Sequence, residues 1–136
     1  MPDTIRKLDY YYLTASDKPG EGARIFSALR DAGVNLLAVH AFPSARKSQI
    51  DLVPSDAVAF LSAAKNAGLK LSKPKTMFLI EGDDRVGAVA PTLSRLGAAG
   101  INVTALSAVR TGGGRYGALL WVKPKDVRKA AETLGV

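Results

Sequence analysis

The sequence predicts an α+β fold in which one unit, strand–helix–strand–strand–helix, occurs twice. Three observations carry this. The chain repeats itself: displaced by 67 positions, residues 17–41 fall on 84–108 with ten of 25 pairs identical, among them Asp17/Asp84, Gly20/Gly87, Gly33/Gly100 and Asn35/Asn102. Each copy alternates short aromatic or β-branched runs with apolar residues at helical spacing. Each copy also carries turn-forming residues at matching places.

In the first copy, Tyr10-Tyr11-Tyr12-Leu13 is a strand. The stretch 4–8 before it either lengthens that strand or occupies a vacant sheet edge. Ser16-Asp17-Lys18-Pro19-Gly20 is a turn into a helix whose apolar face holds Ile25, Leu29 and Ala32. Gly33 ends that helix, since glycine takes the left-handed conformation without cost. Strands over 34–42 and 49–53 follow, joined by the turn Ser44-Ala45-Arg46-Lys47. Pro54-Ser55-Asp56 opens a second helix with Val58, Leu61 and Ala64 as its face, and 69–73 is a closing strand.

The second copy follows the same order. Met77-Phe78-Leu79-Ile80 is a strand, and 82–87 turns into a helix carrying Val89, Leu93 and Leu96. Gly100 ends it. Strands over 101–109 and 116–122 flank Thr111-Gly112-Gly113-Gly114, and Pro124-Lys125-Asp126 opens a helix with Val127, Ala130, Ala131 and Leu134. This is the ferredoxin-like βαββαβ plan repeated twice, giving antiparallel sheets with helices on one face. The expected domains are 1–73 and 74–136. The second copy lacks residues for a last strand. Strand 34–42 is apolar on both faces, and so is 116–122, so the face away from the helices is expected to be covered.

Composition excludes several chemistries. There is no cysteine, hence no disulfide, thiol nucleophile or thiolate metal site. A single histidine, His40, excludes a multi-histidine metal site in one chain. It sits mid-strand among apolar residues with no paired acid or nucleophile, so it reads as a packed side chain, and no catalytic residue is assigned. The apolar runs are too short for a membrane span. The start, Met1-Pro2-Asp3-Thr4, lacks a secretory pattern, and the expected location is the cytoplasm. The net charge of +7 divides unevenly: eight basic and seven acidic residues up to position 68, eleven and five after it. Such a balance suits solubility, and the second reading it allows is a basic module for RNA or a nucleotide.

Asp17-Lys18-Pro19-Gly20, with Ala32-Gly33-Val34-Asn35-Leu36 after its helix, resembles the signature of ACT domains. So does Asp84-Arg85-Val86-Gly87 with Ala99-Gly100-Ile101-Asn102-Val103. The resemblance covers nearly the whole chain, as a tandem ACT protein. It implies a non-enzymatic regulatory module that binds an amino acid or similar small ligand between ACT-like domains. It also implies no cofactor and a regulated enzyme or transporter as partner; a homodimer is expected from the strands that are apolar on both faces. Carried over residue by residue, the ligand contacts are Asp17, Lys18, Pro19, Gly20, Asn35 and Leu36, and in the second copy Asp84, Arg85, Val86, Gly87, Asn102 and Val103. Two departures stand out. Val86 replaces the usual proline, and aspartate stands where the family often has asparagine.

The chemistry of these residue types suits a zwitterion. A helix N-terminus behind a glycine turn offers N–H donors to a carboxylate. An aspartate accepts from an ammonium, and asparagine both donates and accepts. The alternative is structural: aspartate before a helix caps it, worth about 1 kcal/mol.

Overall fold

The computed structural model describes residues 3–136; Met1-Pro2, part of the opening read above for a secretory pattern, lies outside the described residues. The elements are β1 (Thr4–Ser16), α1 (Glu21–Asp31), β2 (Leu36–Ser44), β3 (Lys47–Pro54), α2 (Ala57–Asn66), β4 (Lys75–Asp83), α3 (Ala90–Ala98), β5 (Val103–Gly112), β6 (Arg115–Val122), a 3-10 turn (Pro124–Asp126) and α4 (Val127–Leu134). The expected βαββα order therefore occurs twice.

The chain divides into two compact units. One is Tyr10–Lys75; the other joins the described residues up to Asp9 with Thr76–Val136. In the first, the strand order is β2-β3-β1, with both pairs antiparallel. In the second, β1 leads the order β1-β4-β6-β5, and β4–β6 and β5–β6 are antiparallel. The stretch 4–8 thus does both things expected of it. It is continuous with the tyrosine strand, and it lies beside β4.

Segment 69–73 is not a strand. It is tied to β1 by the Ser72 N–H donating to the Tyr12 carbonyl at 2.8 Å, and by the Tyr12 N–H donating to Ser72 Oγ at 2.9 Å. The serine side chain takes a bond that a ladder would give to backbone. Gly82, expected within a turn, is instead a residue of β4.

The core of the first unit joins Tyr11, Leu13, Ile50 and Leu52 of the strands to Ile25 and Leu29 of α1 and Phe60 of α2. Here the expected face of α2 is corrected. Ala64 is buried as expected, but Val58 is 81% exposed and Leu61 is exposed, and Phe60 and Ala63 are buried in their place. The ring of Phe60 lies 5.4 Å from that of Tyr11, and burying a phenyl group is worth about 2–3 kcal/mol. Asp56 caps this helix through the Ala59 N–H at 3.1 Å. Ala32, expected on the buried face of α1, is exposed.

The second unit packs Phe78, Ile80, Tyr116 and Leu120 against Leu96 of α3 and Ala130 and Leu134 of α4. Helices α1 and α3 end as expected. Gly33 and Gly100 have φ of 76° and 74°, and the Val34 and Ile101 N–H groups close back on Leu29 and Leu96 carbonyls, a Schellman arrangement. On the faces away from the helices, Val53, Met77 and Trp121 are all buried. Edge strands β2 and β5 still expose Leu37, Val39, Leu106 and Val109.

Candidate functional site

The two turns that the repeat places before α1 and α3 differ in their chemistry. In the first, Asp17, Lys18, Pro19 and Gly20 are all exposed. Gly20 takes φ 87° at the N-cap of α1, a conformation glycine adopts without strain. No side chain caps this helix; the Glu21 N–H donates to the Lys18 carbonyl at 3.3 Å, which leaves the N–H groups of Gly22 and Ala23 as the first-turn donors for a ligand. Asp17 therefore does not cap α1. Among the described residues, its carboxylate has no hydrogen bond or ion pair. Glu21 is held by Arg24 instead, at 2.6 Å.

In the second turn, every charged side chain is engaged. Asp83 pairs with Arg115 at 2.9 Å and Asp84 with Arg110 at 3.0 Å. The Arg85 guanidinium donates to both carboxylate oxygens of Asp3, at 3.0 and 3.1 Å. Asp84 does not cap α3 either, since that helix has Val89 at its N-cap and no side-chain cap. Gly87 has φ 67°. Val86 is fully exposed.

Asn35 and Asn102 stand just before β2 and β5, both exposed. The Asn35 carbonyl accepts from the N–H and hydroxyl of Ser55, at 3.0 and 3.1 Å. Neither asparagine amide is hydrogen bonded among the described residues. Leu36 and Val103, next along, are half-buried.

His40 lies opposite Asp51 across β2 and β3, with its ring 5.2 Å from Phe42. Asp51 is buried at 5% exposure and accepts from the Gln49 amide at 3.0 Å. Burial pushes its carboxyl above the usual range, opposed by that amide and by the nearby His40 and Lys75 side chains. This cross-strand pair was not visible as one in sequence: its members are eleven positions apart on different strands.

The triple glycine forms the β5–β6 hairpin tip, with Gly112, Gly113 and Gly114 all at positive φ. It sits between strands, and the Gly114 carbonyl accepts from the Asp84 N–H at 2.8 Å. Among the described residues, no group of three potential metal-ligating side chains comes together. No described helix is long and apolar enough to cross a membrane.

No protein-family model and no curated protein matches the sequence. Solved structures do match the fold. Protein BT0572 from Bacteroides thetaiotaomicron superposes with a TM-score of 0.79 at 18% identity, over 98% of this chain and 88% of that one. The regulatory subunit of aspartate kinase from Thermus thermophilus, in its ligand-free form, matches with a TM-score of 0.60 at 17% identity, over 98% and 94% of the two chains. Aspartokinase alpha and beta subunits match with a TM-score of 0.61 at 17% identity, over 98% and 95%. The fold is the tandem ACT fold.

Proposed function

We propose that this tandem ACT-fold protein is a non-enzymatic regulatory protein that binds an amino acid or similar zwitterion at its first turn. The observation that carries the reading is the unengaged Asp17 carboxylate beside an uncapped helix N-terminus. An isolated exposed carboxylate that caps nothing is free to take an ammonium. The α1 N-terminus, with Gly20 keeping its approach clear of a Cβ, takes the carboxylate. Asn35, in the same unit as that turn, is the candidate for a further polar contact. Likeness to chains described as regulatory subunits of aspartate kinase supports a regulatory role. A signal arises if ligand favours one arrangement of the chain over another, and a regulated enzyme or transporter would read it. The exposed Leu37 and Val39 on edge strand β2 support a homodimer, whose mass light scattering would report.

A thermal-shift screen of the twenty amino acids tests this reading, because a ligand of the native state raises Tm by mass action. The expected result is a shift for one or a few amino acids that persists at high salt. A shift only with RNA, fading steeply as salt rises, would favour the basic-module reading instead.

A further inference from the structure

We infer that the second turn is a carboxylate site whose ligand is built into the chain: Asp3 fills the fork of Arg85 and the Tyr116 hydroxyl, in space that Gly82 leaves open.

Three independent features make this a built site. The first is the bidentate pairing of Arg85 with Asp3, the geometry that recognises a carboxylate plane. Arg85 is itself steadied by the Asp83 carbonyl, to which it donates at 2.9 Å. The second is the Tyr116 hydroxyl, which donates to Asp3 Oδ2 at 2.7 Å. The Asp3 side chain is only 10% exposed, so this carboxylate is held inside the unit and not merely paired on its surface. The third is Gly82. A Cβ there would run into the Asp3 carboxylate and would lie 2.9 Å from Tyr116 Cε1. Its backbone does not need glycine, since its φ is not in the left-handed region. The missing side chain is therefore explained by the carboxylate it admits.

The charges agree with the geometry. Hydrogen bonds from Arg85 and Tyr116 hold the Asp3 carboxyl below its usual range against the opposing effect of burial. Burial and the hydrogen bond to Asp3 push the Tyr116 phenol up to about 12.

The consequence is a division of labour between the repeats. The second turn spends its arginine on the chain's own carboxylate, which fastens the start of β1 beside β4. Among the described residues, the first turn has no such internal occupant. This holds whichever ligand the first turn takes, and it concerns small carboxylates as a class: with Asp3 removed, an added carboxylate should occupy the same fork.

The experiment is chemical rescue. Asp3→Ala is expected to lower Tm by about 5 °C, the size of one lost charge-assisted contact in a chain of this length. Formate at tens of millimolar should restore most of that loss, chloride at equal ionic strength should not, and the wild type should respond to neither. An Asp3→Ala protein that melts like wild type, or that chloride restores as well as formate, overturns the inference. Asp3→Asn, which keeps the shape, provides a second arm independent of that variant's folding. Tyr116, followed by tyrosine ring NMR, should ionise nearer pH 10 in Asp3→Asn than in wild type; an unchanged titration overturns the inference too.

Discussion

Asp3 and Tyr116 meet at 2.7 Å across 113 positions of chain. Through that contact the start of β1 is bound into the unit formed by Thr76–Val136. It also predicts how the protein responds to pH. The depressed Asp3 carboxyl contributes stability that is present above its unfolded pKa of about 4 and is lost as pH falls through the folded value. The raised Tyr116 phenol contributes stability that is present below its unfolded pKa of about 10 and is lost as pH rises through about 12. Tyr116→Phe should therefore melt lower than wild type at pH 8, with the gap closing in strongly alkaline buffer. Melting curves across that range check this; a gap that stays constant with pH contradicts it.

Asp51 should behave in the opposite sense to Asp3. Its carboxyl is raised by burial, so the charged form costs stability once pH exceeds the folded pKa, and the cost vanishes below about pH 4. Asp51→Asn keeps an acceptor for the Gln49 amide. It is expected to be more stabilising at pH 7 than at pH 4. Chemical denaturation at the two pH values measures the difference, and an equal effect at both rules the account out.

The α2 face offers a packing test. Phe60→Ala should cost about 3–5 kcal/mol as a buried aromatic deletion, whereas Val58→Ser should change stability by less than about 0.5 kcal/mol. Urea unfolding of both variants decides which face is inside; similar costs would mean that Val58 is buried after all.

The β2–β3 hairpin holds a stabilising opportunity. Ala45 and Arg46 have φ of 49° and 68°, the two positive values of a two-residue turn that favours Asn-Gly or Gly-Gly. The corresponding β5–β6 turn has glycine at both places. Arg46→Gly should therefore stabilise the protein by about 1 kcal/mol. A loss of stability in urea unfolding would show that the arginine side chain matters more than its backbone strain.

These cases mark what could be read from residues alone. The repeat, the order of elements along each copy and the helix ends were legible because Gly33, Gly100 and Asp56 act locally, through φ or a single capping bond. The face of α2 was not. Its sequence, AVAFLSAAKN, is apolar on several sides, and packing against residues distant in sequence, Tyr11 among them, makes Phe60 the inward residue. Asp3 was illegible as a ligand for the same reason: Arg85, Tyr116 and Gly82 are far from it in sequence. Gly82 read as turn punctuation when its role is steric. The candidate ligand residues were named from their resemblance to a motif, and chain order could not separate the two turns. The difference lies in partners elsewhere, Asp3 for Arg85 and Arg110 for Asp84.

Titration calorimetry with the amino acid that most raises Tm, on wild type and on Asp17→Ala and Asp84→Ala, tests the central claim most directly. The account predicts one ligand per chain, binding weakened at least about tenfold by Asp17→Ala, as expected for losing a charge-assisted contact, and binding unchanged by Asp84→Ala. Undiminished affinity in Asp17→Ala, or no heat from any amino acid at millimolar concentration, would contradict it.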